Sequence, residues 1–342
     1  MPTGRGKLFA GRKLWPLVLL ATIAIVSAGS TAAGFVLSSG SAASTSATPP
    51  MSSTAIAKAP LPTATTTVPT MSGATPTPTV APGASVIITD TCGYSHKAND
   101  DPILDPGKPG QSMAHDFFGN TSTSATSTAA TLVRGSTTCS TSDDASAYWT
   151  PVLYQNGVPI TPLRNLIYWA RLVGNSPTVV APPAGLEMIA GNENASAPQS
   201  TKVIDWRCAD PATKSVSDVP VNCSGTRGIE LRVTFPSCWN GTTLSGAGQT
   251  NVVYPKGQVC PTRYPVRIPT VVFHVVYPIT SATDLTLSMG PGQQGSTDTA
   301  HGDFINGWNQ SLLTALINGC AGPTRTCGHV TGADAQVHPK KA

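Results

Sequence analysis

All eight cysteines of the 342-residue chain, Cys92, Cys139, Cys208, Cys223, Cys238, Cys260, Cys320 and Cys327, lie beyond residue 90. An even set of this kind in an oxidising compartment forms disulfides, which restrict the chain to folds that bring those positions together. None belongs to a Cys-x-x-Cys pair or stands at zinc-finger spacing from a histidine, so a zinc ribbon is a weak reading. Sequence proximity suggests Cys208 with Cys223, Cys238 with Cys260, Cys320 with Cys327 and, by remainder, Cys92 with Cys139. Spacing alone does not fix the connectivity.

The segment ahead of the cysteines argues for that compartment. Residues 1–13 carry Arg5, Lys7, Arg12 and Lys13, and residues 14–37 hold no charge. A basic flank before such a run keeps its N-terminus inside and directs the downstream chain outward. The apolar core of the run has signal-peptide length, and small residues such as Ala28, Ser30 and Ala32 suit a signal peptidase. Left uncut, the same stretch is long enough to span a bilayer as a single-pass anchor. Residues 38–84 are nearly all Ser, Thr, Ala, Pro and Gly with Lys58 as the single charge. They cannot bury enough apolar area to offset chain entropy and read as an extended, disordered tether. Thr-Pro steps such as Thr75-Pro76-Thr77-Pro78 favour polyproline-like stalks. The expected product is extracytoplasmic, secreted or held to the membrane through residues 14–37.

One domain remains, read as residues 85–328 with a disordered tail at 329–342. The chain's +4 charge is no footprint of a polyanion: 16 of its 21 basic residues and all 17 acidic ones lie beyond residue 84. A neutral domain removes the main electrostatic signature of nucleic-acid binding, so no nucleic-acid partner is expected. Strand signals dominate. Residues 229–235 alternate apolar and polar, residues 270–277 form a buried-type run, and residues 285–289 alternate again. Asn156-Gly157 between two short apolar runs reads as a type I′ hairpin, with Pro159 marking an edge strand. Leu312, Leu313, Leu316 and Ile317 recur at helical spacing, with Asn309 as cap and Gly319 as terminator. Many short strands with Gly/Pro/Asn turns predict a mainly β domain, an antiparallel β-sandwich or jelly roll with one short C-terminal helix.

Several segments appear in a telling order: Ser95-His96 before Asp100-Asp101-Pro102-Ile103; His115-Asp116-Phe117-Phe118-Gly119-Asn120; Ser146-Ala147-Tyr148-Trp149-Thr150-Pro151. Downstream come Gly185-Leu186-Glu187-Met188-Ile189-Ala190-Gly191, Phe235-Pro236-Ser237-Cys238-Trp239-Asn240-Gly241 and His301-Gly302-Asp303-Phe304-Ile305-Asn306-Gly307-Trp308. Together they cover nearly all of residues 90–322. The ordered set resembles the domain-of-unknown-function family nineteen ninety-six of secreted actinobacterial and fungal proteins. The resemblance supplies no established reaction. Fungal members are often joined to sugar-binding WSC modules, which implies a wall or polysaccharide setting by analogy. Family members usually carry a second histidine where this chain has Met113. They carry an acidic-and-histidine loop where it has Gly246-Ala247-Gly248-Gln249-Thr250-Asn251, and a histidine where it has Tyr264. If those histidines form the family's working centre, this copy is impaired or altered.

The chemistry-bearing residues are few. His115, Asp116, His301 and Asp303 are expected to converge as a catalytic acid/base centre, because imidazole titrates near neutrality and a carboxylate can orient it. His96, Asp101, Asn120 and Asn306 suit hydrogen bonds to sugar hydroxyls, and Tyr148, Trp149 and Trp308 could stack on sugar rings. The competing reading makes the polar residues buried hydrogen-bonded corners and the tryptophans core. Two histidines with Asp303 could form a metal site, but the missing histidine at 113 argues against it, so no metal and no cofactor are expected. Asp143-Asp144 cannot flank one glycosidic bond unaided, since neighbours on a strand point to opposite faces. The expected partner is a cell-wall or extracellular polysaccharide, bound by a wall-associated carbohydrate-binding domain. The alternatives are a polysaccharide hydrolase or lyase with a His/Asp centre, and a structural envelope protein without ligand.

Overall fold

The computed structural model describes residues 85–171, 179–210, 216, 218–220, 222–246, 248, 250–257, 259–320, 328–331 and 336–337. The export segment and tether expected over residues 1–84, and Cys327, lie outside them. Nine strands form the main sheet: β1 Ser85–Ala98, β2 His115–Gly119, β3 Ala147–Pro151, β4 Arg164–Arg171, β5 Glu187–Gly191, β6 Ile204–Cys208, β7 Ile229–Thr234, β8 Thr270–Tyr277 and β9 His301–Ile305. They pair antiparallel in the order β5-β9-β3-β2-β1-β4-β8-β7-β6. The long β1 lies at the centre, bonded to β2 through its C-terminal half and to β4 through most of its length. Strand Gly328–Thr331 joins β1 in parallel and pairs with Gln336–Val337, both reaching into the stretch 329–342 expected to be a tail.

The expected sandwich or jelly roll is corrected here. One continuous sheet curls until β5 approaches β7, giving a nearly closed barrel-like form in place of two facing sheets. Gly302 on β9 shows how tight the closure is. A Cβ at Gly302 would lie 3.1 Å from Val233 on β7 and 3.2 Å from Phe273 on β8, across the interior. Alternation along each strand sends Phe118, Tyr148, Trp169, Phe273 and Phe304 inward to one buried cluster. Burying each such side chain contributes about 1.5–3 kcal/mol.

Strands β2, β3 and β9 are buried on both faces. Their outer face carries a second apolar cluster, Phe117, Ala147, Trp149 and Ile305, onto which Ala98 and Ile103 pack. Residues 99–112 therefore act as a cover on the sheet's outside. This explains sequences such as His115-Asp116-Phe117-Phe118, in which no residue is spared for solvent.

Smaller elements agree closely with the sequence signals. Leu153–Gln155 and Val158–Pro159 flank Asn156 and Gly157, whose φ angles of 50° and 75° make the primed turn, and Val158–Pro159 is a sheet edge. Helix α1 is the single turn Ala129–Leu132, and helix α2 runs Gln310–Cys320. Asn309 Oδ1 accepts from the Leu312 amide as expected of a cap. Gly319 does not end α2, which continues one residue further. Disulfides join Cys92–Cys139, Cys208–Cys223 and Cys238–Cys260. Cys320 is also disulfide-bonded, and none of the described cysteines is free. Among the described residues no helix is long and apolar enough to cross a membrane.

Candidate functional site

The outward positions of adjacent strands β2, β3 and β9 bring His115, His301 and Asp303 together beneath the cover. Register pairs Asp303 with Trp149, and Trp149 in turn with Phe117, two residues along from His115. The two imidazoles lie 5.9 Å apart, nearly perpendicular, and His301 Nε2 is 3.7 Å from Asp303 Oδ2. One ligand-type atom from each of the three lies within 4.8 Å of the others. All three side chains are buried.

Each imidazole is oriented through its other nitrogen. His115 Nδ1 donates to the Asp100 carbonyl and His301 Nδ1 to the Thr299 carbonyl, both at 2.9 Å. A carbonyl cannot donate, so a proton sits on each Nδ1, and in the neutral imidazole that burial favours each Nε2 is an acceptor. Neither Nε2 has a hydrogen-bond partner, nor has either oxygen of Asp303. Burial pushes both imidazoles down to about 4, and His115 adds to the effect on His301. Burial pushes Asp303 well above the usual carboxylate range, and the negative charges of Asp101 and Glu193 push the same way.

Of the four residues expected to converge, His115, His301 and Asp303 do so and Asp116 does not. Adjacent strand residues face opposite ways, so Asp116 points to the inner side with Thr150, its register partner. There its charge acts on Tyr94, Tyr154 and Tyr277, and burial raises it to about 8 although Lys97 opposes the shift.

The expected sugar contacts fare differently. Tyr148 stacks on Phe304 at 5.3 Å, and its hydroxyl donates to Asp144 Oδ2 at 2.7 Å. Trp308 packs edge-on against Trp169, and Trp149 is tilted against Phe117. All three rings are buried, which removes them as stacking platforms and makes them core. Asn120 donates to the Leu132 and Ala145 carbonyls, and Asn306 to those of Pro182 and Pro183, so both amides are spent on loop corners. His96 stacks on Phe117 at 4.8 Å. It donates from Nε2 to the Thr123 carbonyl and accepts at Nδ1 from Ser95 Oγ. Asp101 Oδ1 accepts from the Ile103 and Leu104 amides, folding the cover back on itself, while its carboxyl also meets the Trp149 indole and its charge acts on His301 and Asp303.

An open cleft of about 400 Å³ adjoins this region. Pro102, Ile103, Leu104 and Pro106 of the cover line it together with Glu187 of β5, Ser245, Gly246 and Gly248. Glu187 is half-buried and raised to about 7, by burial first and by Asp101 second. Sequence reasoning misses Glu187. Its signal is a lone acid in an otherwise apolar strand, at the outward positions of β5. Asn251 holds the far side, donating to the Glu187 and Leu244 carbonyls.

The model of the family described as Domain of unknown function (DUF1996) matches residues 101–308, a span that includes the buried trio and every residue lining the cleft. No curated protein and no solved structure matches the chain.

Proposed function

The chain belongs to the DUF1996 family, and from that premise we propose that it is an extracytoplasmic, wall-associated carbohydrate-binding domain whose ligand enters the cleft beside Glu187. The observation that carries this reading is the cleft itself. Its volume of about 400 Å³ lies in the range of small-molecule sites. Two lining residues, Gly246 and Gly248, belong to the loop where the family resemblance places acidic and histidine residues. With Tyr148, Trp149 and Trp308 in the core, recognition there rests on hydrogen bonds from Glu187 and loop backbone to sugar hydroxyls. The disulfides fit an oxidising exterior. Passing the purified full chain over an array of wall and extracellular polysaccharides tests the reading. Retention of at least one polymer, weakened by Glu187→Ala, is expected; no retention of any polymer sinks it.

A second reading, polysaccharide hydrolysis, is favoured by Glu187 alone. A carboxyl raised to about 7 at the edge of an open cleft is suited to give a proton to a leaving oxygen. The same array scored for released sugar separates the two. A hydrolase loses product release but keeps retention in Glu187→Gln, whereas a binding domain releases nothing in either form.

A further inference from the structure

We propose that His115, His301 and Asp303 bind a divalent transition-metal ion between their side chains, beneath residues 99–112. The proposal stands on its own and does not rest on carbohydrate binding. Three groups offer only acceptor atoms to one another: two Nε2 lone pairs and a carboxylate, all buried and none hydrogen-bonded. Unpaired buried polar atoms are costly, so such a collection persists where something absent from the protein chain satisfies it. A proton does not suffice. Protonating Asp303 would give one donor for two imidazole acceptors, and its Oδ2 is 3.7 Å from His301 Nε2, too long for a hydrogen bond.

A cation satisfies all of them at once. Ligands about 2.1 Å from a tetrahedral zinc lie about 3.4 Å from one another. The 3.7 Å pair has to close by about 0.3 Å, and the 4.8 Å bound on the trio limits the closure of the other pairs to about 1.4 Å. Charge points the same way. The charges acting on Asp303 are those of Asp101 and Glu193, both negative. A divalent ion would neutralise the two buried carboxylates Asp303 and Asp101 together. The donors to carbonyls, His115 Nδ1 to Asp100 and His301 Nδ1 to Thr299, are the outer contacts that fix ligating imidazoles in metal sites. Two imidazoles and a carboxylate select zinc, iron, manganese or cobalt over calcium and magnesium, and leave coordination positions open. No histidine at position 113 is needed, because three donors already meet. The other grouping of potential ligands, Cys92, Cys139 and Asp144, is excluded because its sulfurs are joined in a disulfide.

The test uses the full chain, stripped with a chelator and dialysed, then titrated with Co²⁺ while visible absorption and the unfolding temperature are tracked. One equivalent is expected to give a ligand-field spectrum with nitrogen and oxygen donors and to raise the unfolding temperature, with Zn²⁺ displacing it. Replacing His115 or His301 with Ala, or Asp303 with Asn, is expected to weaken binding by at least about 100-fold. His96→Ala should bind like the parent, because both its ring nitrogens are already occupied. Should the histidine variants fail to fold, Asp303→Asn decides, being nearly isosteric. In metal-free buffer it is expected to melt above the parent, and added metal should not raise it further. No spectrum and no thermal shift with Co²⁺, Zn²⁺ or Mn²⁺ in the parent chain overturns the proposal, as does Asp303→Asn binding with parental affinity.

Discussion

At the scale of single residues, position along a strand decides more than residue type. His115 and Asp116 are neighbours in sequence, and sequence alone suggests one centre for both. The pleat separates them to opposite faces, one toward His301 and the other toward Thr150. What is legible in the sequence is the pairing of two distant His/Asp motifs. Which acid of each motif goes with the histidine is not legible, because that needs the strand's phase. In the second motif the acid is two residues on and shares the face. The tryptophans are illegible for a related reason: an aromatic in an outward position is a platform only if no cover lies over it, and residues 99–112 cover Trp149. Asp116 yields a prediction. Burial raises its carboxyl to about 8 in the folded chain, against about 3.9 unfolded. The folded state therefore holds the proton more tightly, so the contribution of Asp116 to stability is fully present below about pH 4 and is lost as pH rises from about 4 to about 8. Asp116→Asn removes that loss. Its unfolding free energy should match the parent's near pH 4 and exceed it by on the order of 5 kcal/mol at pH 8, by urea denaturation at both values. Equal differences at both pH values would show that Asp116 is not the titrating group.

Among the elements, those with purely local signals are legible: the Asn156-Gly157 hairpin, the alternating strand at 229–234, the buried run at 270–277 and the capped helix α2. The cover segment is not, because residues 99–112 have no period and owe their shape to side chain-to-backbone bonds. Asp100 Oδ1 and Oδ2 accept from the Gly110 and Ala125 amides, and Asp101 Oδ1 from those of Ile103 and Leu104. Asp101→Ala removes two of these bonds at a cost of about 1–3 kcal/mol. Hydrogen exchange should then quicken at the Ile103 and Leu104 amides while β8, in the barrel core, keeps its protection. Uniform quickening would mean that the cover and the sheet open as one unit. A second prediction concerns the hairpin. Gly157 has φ 75° with nothing near its missing Cβ, so Gly157→Ala costs conformational strain alone, about 1 kcal/mol, measurable as a shift in the denaturation midpoint.

For the whole molecule, alternation and turn chemistry announce a mainly β, antiparallel domain but not its closure, since a sandwich and a curled sheet use the same strands. The difference lies in pairings distant in sequence, such as β9 with β3 and β5, and in Gly302, whose missing side chain lets β9 approach β7 and β8. Disulfides are the one long-range constraint a sequence displays openly, and their loops differ in length. Cys92–Cys139 spans 47 residues, Cys238–Cys260 spans 22 and Cys208–Cys223 spans 15. A cross-link restricts the unfolded chain more the longer the loop it closes, which gives about 4 kcal/mol for the first and about 3 kcal/mol for the others. The first also ties the central strand β1 to the segment leading into β3, so its loss loosens the sheet's middle as well as the unfolded chain. Double Cys→Ala variants of each pair, compared by guanidinium denaturation, should therefore rank Cys92/Cys139 as the most destabilised. A ranking led by Cys208/Cys223 would show that native-state packing around the bridge outweighs loop closure in this fold.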